Sequence, residues 1–145
     1  MLVAERPGHK PTVLDPETRL ELARLAFGDL PRVEVRLDPH PFTVDFLRAE
    51  RPEDAVFVVG ADQWAVFDTW KEPDEVLRLI PVAVAARPGQ PAPSGDVRVF
   101  EIPQLPIASS ELRKRIEDGE PLDDLVPDRV AREIEQRGLY GRGPS

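Results

Sequence analysis

Two short runs of uninterrupted apolar residues constrain the fold most. Ala55-Val56-Phe57-Val58-Val59 is closed by Gly60, and Val82-Ala83-Val84-Ala85 is ended by Arg87-Pro88-Gly89. A strand that is apolar at every position reads as buried on both faces, which is the habit of strands in a parallel α/β sheet. The segments between them carry helix punctuation. Asp15-Pro16-Glu17 reads as N-cap, N1 proline and first-turn acid. Leu22, Leu25 and Ala26 supply that helix with an apolar stripe, and Gly28 ends it. Residues 33–37 alternate apolar and polar with period two, predicting a half-buried strand. A short opening strand over residues 2–4, helices over 43–48 and 75–79, and a strand over 97–102 complete the middle of the chain. Two helices follow, one after Ser109-Ser110 and one after Pro127-Asp128. The latter has Val126, Val130 and Ile134 on one stripe and Gly138 at its end. Strands alternating with helices predict βαβ units, hence an α/β fold with a parallel sheet flanked by helices. At 145 residues, with no linker-like stretch and no repeat, the chain reads as a single domain over 1–145.

Composition narrows the function classes. There is no cysteine, which excludes a disulfide framework, a thiolate nucleophile and a zinc ribbon. A formal net charge of −8 argues against a nucleic-acid partner. No apolar stretch approaches the roughly 20 residues that span a bilayer, and the first residues carry no secretory signal pattern. The expectation is a cytoplasmic protein with no membrane partner.

In parallel α/β sheets ligands bind outside the carboxyl ends of the strands, so the residues just after each strand are informative. Those are His9-Lys10, Gly60-Ala61-Asp62, Arg87-Pro88-Gly89 and the run Ile107-Ala108-Ser109-Ser110-Glu111-Leu112-Arg113 entering a helix. A lysine, two arginines and a Ser-Ser helix start at strand ends of an acidic chain point to an anion site, because helix N-termini and guanidinium groups suit phosphate. Each element also has a plain structural reading. Ser-Ser reads as an N-cap, Gly-Ala-Asp as a turn, Trp70 as a core aromatic, and Lys10 and Arg87 as solvated charges. Their joint position at strand ends is what favours the site.

The residues 107–113 resemble the I-S-S-T-x-I-R motif of the nucleotidyltransferase (cytidylyltransferase-like) superfamily. Gly60-Ala61-Asp62 followed by Trp70 resembles the G-A-D…W pattern of bacterial nicotinate-nucleotide adenylyltransferases. His9-Lys10-Pro11, Phe42-Thr43-Val44-Asp45-Phe46-Leu47 and Leu125-Val126-Pro127-Asp128 through Gly138-Leu139-Tyr140 resemble further segments of that family, in the same order. The resemblance implies a Rossmann-like fold and transfer of the adenylyl group of ATP to nicotinate mononucleotide, with Mg²⁺ accompanying ATP. It implies that Ser109, Ser110 and Arg113 hold ATP phosphates and that Asp62 meets the nucleotide at its ribose or adenine. Trp70 would stack on the pyridine ring, Thr43 would bond near the ring carboxylate, and Lys10 and Arg87 would reach phosphate groups.

The sequence departs from the family pattern at its start. The family opens on a strand and G-x-F-x-P-x-H-x-G-H, whereas neither histidine of this chain, His9 or His40, lies in an H-x-G-H. The expectation is that a strand and helix of about 30 to 45 residues are missing, judged from the size of a βαβ unit, so that no catalytic residue is assigned. Ala108 replaces the first serine of the motif, Ser110 stands at its threonine, and Phe42 replaces a tyrosine. A sheet lacking its first strand is expected to leave an unpaired edge, so that the chain is either marginal in stability or associates through that edge as a homo-oligomer. Three other readings compete: an adenylyltransferase for nicotinamide mononucleotide or a pantetheine phosphate, a non-catalytic nucleotide-binding remnant, and an unrelated α/β domain.

Overall fold

The computed structural model describes residues 1–7, 12–89, 92–104 and 107–141, and every strand pairing among them is parallel. The chain divides into two compact units, one of Met1–Pro39 with Pro106–Ser145 and one of His40–Leu105.

In the first unit, β1 (Leu2–Ala4) pairs with β2 (Arg36–Asp38) through the register Leu2 to Arg36, Val3 to Leu37 and Ala4 to Asp38. Helix α1 (Pro16–Phe27) makes the crossover between them. Its start is the one read from the sequence. Asp15 sits in extended backbone and its carboxylate accepts from the Thr18 amide at 2.9 Å and from the Thr18 hydroxyl at 2.7 Å. The helix ends on Gly28 without a left-handed turn. A side chain there is barred by close approach, because a Cβ would lie 2.5 Å from the Arg24 carbonyl oxygen. The strand expected over 33–37 is displaced to Arg36–Asp38, because β1 offers only three residues to pair with; Val35 is still buried just before it.

Helices α5 (Ser109–Asp118) and α6 (Asp128–Arg137) complete this unit. The stripe read on α6 is real, with Val130 and Ile134 buried, and Gly138 takes the left-handed cap at φ 60°. Helix α6 packs on α1. Arg129 clamps Asp29 through two bonds of 2.6 and 2.7 Å, and Arg137 reaches Glu21 and the Thr18 hydroxyl.

The second unit holds α2 (Thr43–Glu50), β3 (Phe57–Gly60), α3 (Ala61–Ala65), a 3₁₀ turn (Phe67–Thr69), α4 (Pro73–Leu79), β4 (Val82–Ala86) and β5 (Arg98–Glu101). Its sheet has the order β3-β4-β5. Val44, Leu47, Phe67, Val76 and Ile80 form one core cluster, and Val59, Val82 and Val84 another. The middle strand β4 fulfils its reading, with Val82, Ala83 and Val84 all buried. Strand β3 does not. Val58 is 57% exposed, whereas its register partner Ala83 in β4 is 7% exposed. The difference is position in the sheet: among the described residues β3 pairs on one side only, so its apolar run is half covered.

The Asp15 cap makes a pH prediction. Hydrogen bonds from the Thr18 hydroxyl and then the Thr18 amide hold the Asp15 carboxyl below its ordinary value of 3.8. A carboxyl depressed in the folded state stabilises above its unfolded pKa, and that stability is lost as pH falls through the folded value. Asp15→Ala is therefore expected to lower the melting temperature at pH 7. The gap to the unmodified chain should close below about pH 3.8. A gap independent of pH would show that the charge is not what caps α1.

Candidate functional site

The second unit places four of the expected residues at the ends of its elements. Gly60 closes β3 and α3 begins at the next residue, so Asp62 lies exposed in the first turn of a helix that follows a strand directly. A Cβ on Gly60 would meet nothing within 4 Å, leaving the strand end open. Asp62 borders a hollow of about 740 Å³ together with Trp64, Phe67, Asp68 and Asp74. Arg87 follows the last residue of β4 and is exposed, and Pro88-Gly89 turns the chain there with Gly89 at φ 83°.

Trp70 combines its two readings. It is half-buried, so it is neither wholly core nor wholly free. Its amide donates to the Phe67 carbonyl at 3.0 Å, which fixes its backbone at the end of the 3₁₀ turn. Its ring meets Phe57 edge to face at 6.2 Å and Phe67 at 5.0 Å, and Phe67 in turn meets Trp64 at 4.7 Å. The Trp64 indole donates to the Ser94 carbonyl at 2.8 Å. Four aromatic rings in contact thus hold Trp70 on the same core cluster that contains Val44 and Leu47 of α2.

Thr43 is the first residue of α2 and is half-buried. Phe42 occupies the N-cap position and makes no side-chain cap, as a phenylalanine must. Lys71, the residue after Trp70, ties the two segments together. Its ammonium donates to both Asp45 oxygens at 3.1 and 3.2 Å and stands 5.1 Å from the centre of the Phe42 ring. Next to it, Glu72 is held in left-handed backbone at φ 47°, and Arg48 of α2 donates to both of its carboxylate oxygens at 2.8 Å. That bond is the first cause of the lowered Glu72 pKa.

In the first unit, Ser109 and Ser110 open α5, and the N-cap residue is Ala108. The plain reading of Ser-Ser as an N-cap is thereby corrected: both serines lie inside the first turn, exposed, and Ala108 has no hydroxyl with which to cap. Arg113, one turn on, is half-buried, and its Nε donates to the Ser109 carbonyl at 3.2 Å. Ser109 and Arg113 border an apolar hollow of about 330 Å³ with Arg19 and Tyr140. Burial pushes the Tyr140 hydroxyl above its ordinary pKa. Lys10 and His9 lie outside the described residues. His40 packs edge-on against Phe46 at 5.9 Å.

Residues 1–115 match the family model described as cytidylyltransferase-like. The chain is 39% identical to the "Probable nicotinate-nucleotide adenylyltransferase" of Thermus thermophilus, over 96% of this chain and 81% of that one. This chain belongs to the nicotinate-nucleotide adenylyltransferase family. A protein of the same printed name from Symbiobacterium thermophilum is 34% identical over 97% of this chain and 79% of its own. Among solved structures, Plasmodium falciparum nicotinic acid mononucleotide adenylyltransferase complexed with NaAD matches with a TM-score of 0.69, covering 96% of this chain and 81% of that one. At 15% identity that likeness speaks for the fold, which is the α/β class read from the sequence.

For a nicotinate-nucleotide adenylyltransferase, sequence reasoning missed contacts beside the residues expected at the site. Lys71 meets Asp45 across 26 positions of chain, and Phe42 still farther back, which local pattern does not reveal. The Arg19 guanidinium likewise went unread. It donates to the carbonyls of Ala4, Glu5 and Leu14 at 2.7, 3.1 and 3.2 Å, gathering both ends of the segment after β1. The available signal was an arginine on the otherwise apolar stripe of α1.

Proposed function

We infer that this chain transfers the adenylyl group of ATP to nicotinate mononucleotide, releasing pyrophosphate and forming the deamido dinucleotide. The observation that carries the inference is the ordered set of family motifs together with the Trp70 platform, half-buried and braced by Phe57 and Phe67. A flat indole with one part left open suits a pyridinium ring, by stacking and by attraction of the cationic ring to the π face. Thr43 at the start of α2 supplies a hydroxyl for the ring carboxylate, and the helix N-terminus favours negative charge there. Lys10 and Arg87 take phosphate groups. Ser109, Ser110 and Arg113 take the ATP phosphates, and Asp62 takes the ribose or adenine.

The chemistry asks mainly for positioning. An oxygen of the mononucleotide phosphate attacks the α-phosphorus of ATP, and the bond to the departing pyrophosphate breaks with its electron pair leaving on oxygen. Donors at the start of α5 and the Arg113 guanidinium neutralise charge as it spreads over the phosphates. Magnesium is proposed as the companion of ATP, held through the phosphates as that ion usually is. Among the described residues no group of three or more His, Asp or Glu side chains offers it a protein cage. A cytoplasmic setting is part of the same proposal; no helix among the described residues is long and apolar enough to cross a membrane.

The test is to mix chain, ATP, magnesium and nicotinate mononucleotide, and to follow pyrophosphate and dinucleotide together. Stoichiometric release of both supports the reading. Mononucleotide binding without pyrophosphate would leave a binding module instead. Arg113→Ala is expected to weaken ATP about tenfold, the lower part of the range for hydrogen bonds to charged groups, because one of its donors already serves Ser109. The mononucleotide affinity should stay unchanged in that variant. Equal loss of both ligands would remove Arg113 from its assigned role.

A further inference from the structure

We propose that Lys71 is a positioning residue of the pyridine pocket, setting the placement of Thr43 and Phe42 against Trp70 through its ion pair with Asp45. The proposal rests on the reading of Thr43 and Trp70 as that pocket. Lys71 follows Trp70 directly, and its ammonium reaches back to α2, where it holds the carboxylate of Asp45 at 3.1 and 3.2 Å and lies over the Phe42 ring at 5.1 Å. Asp45 stands two residues after Thr43 in the first turn of α2. One cation therefore fastens both flanks of Thr43, the aromatic before it and the acid after it, to the segment that carries the stacking tryptophan.

The local sequence makes such a fastening useful. Phe42 gives α2 no side-chain cap, so its first turn is set only by the backbone bonds from the Asp45 and Phe46 amides to the Phe42 carbonyl. Glu72 sits in left-handed backbone and depends on Arg48 of the same helix, so the segment after Trp70 is drawn toward α2 at two consecutive positions. The Arg48–Glu72 pair lies farther along α2. The Lys71–Asp45 pair lies nearer the start of α2, two residues from Thr43.

An alternative role for the same ammonium is direct attraction of the ligand's carboxylate or phosphate. The two roles differ in what Asp45 does. If Lys71 acts by positioning, Asp45 is its partner and its loss weakens the ligand. If Lys71 acts directly on the ligand, Asp45 competes for the ammonium and repels the anion, so its loss tightens the ligand.

The experiment is calorimetric titration of the full chain with nicotinate mononucleotide and, separately, with ATP. The variants are Lys71→Met, which keeps most of the stem, Lys71→Arg, Asp45→Asn and the Met/Asn double variant. Far-UV circular dichroism and melting temperature check that each is folded. The expected result is a loss of mononucleotide affinity of roughly three- to fivefold in Lys71→Met and in Asp45→Asn, the scale of a partly exposed ion pair plus a cation–π contact. The double variant should be no worse than either single one, Lys71→Arg should regain most of the loss, and ATP should bind as before. Tighter mononucleotide binding in Asp45→Asn would overturn positioning in favour of direct attraction. No change in Lys71→Met, or an equal loss for ATP, would overturn the proposal altogether. Thr43→Val, measured alongside, separates the causes. If it weakens the mononucleotide while Lys71→Met does not, only the role of Lys71 falls; if neither does, the pocket itself is misassigned.

Discussion

Leu47→Ala is expected to destabilise the chain by roughly 2–5 kcal/mol, the cost of emptying a buried leucine site. Leu47 is 2% exposed and lies in the cluster of Val44, Phe67, Val76 and Ile80, so the lost atoms have neighbours from α2, the 3₁₀ turn and α4. Only Val44 and Leu47 of α2 are buried, and they sit three positions apart on one face. Removing one of them takes away one of the two fully covered side chains that dock an eight-residue helix, and a helix of that length has little stability of its own. A small domain holds only about 5–15 kcal/mol in total, so the change is a large share of it. Urea unfolding followed by circular dichroism should show a clearly lower midpoint. The same variant should also bind nicotinate mononucleotide more weakly, since Thr43 begins that helix. A midpoint equal to that of the unmodified chain would mean that α2 is not docked on this core.

How much of this could be read in advance depended on how local the cause was. Asp15-Pro16 gave the start of α1 to the residue, because a cap is made with amides two or three positions on. Gly138 gave the end of α6 for the same reason. The apolar run of β4 correctly announced burial on both faces, and the similar run of β3 did not. Nothing within residues 55–59 records whether a neighbour pairs on one side or two, since sheet order is a property of the whole chain. The site followed the same rule. The structure puts Asp62 in the first turn of the helix that follows β3, Arg87 directly after β4, Thr43 at the head of α2, and Ser109, Ser110 and Arg113 on the first turns of α5; their roles toward ligand belong to the proposal. The contacts that brace them were not legible. Lys71 with Asp45, Arg48 with Glu72 and Arg19 with Ala4 join residues 26, 24 and 15 positions apart. A charged residue on an exposed turn looks the same in sequence whether it meets solvent or a distant partner.

Trp70→Ala is expected to weaken nicotinate mononucleotide by roughly ten- to a hundredfold and to leave ATP nearly unaffected. The magnitude is that of one heterocycle stacked on one aromatic side chain, about 1–3 kcal/mol, with tenfold in affinity for each 1.4 kcal/mol. The asymmetry follows from the assignment: the pyridine ring belongs to the acceptor, while Asp62, Ser109, Ser110 and Arg113 are read as the ATP residues. Alanine alone would be an ambiguous probe, because the indole also packs on Phe57 and Phe67, and its removal unsettles the turn that ends at Trp70. Trp70→Phe resolves this. It keeps an aromatic ring against Phe67 and a face for the ligand, so it should retain most of the melting temperature and lose only part of the affinity. Trp64 remains in both variants, hydrogen-bonded to Ser94 and in contact with Phe67, and its fluorescence reports whether that aromatic group is still assembled. An alanine variant that keeps full mononucleotide affinity, or one that loses ATP equally, would return Trp70 to the plain reading of a core aromatic and take the pyridine pocket with it.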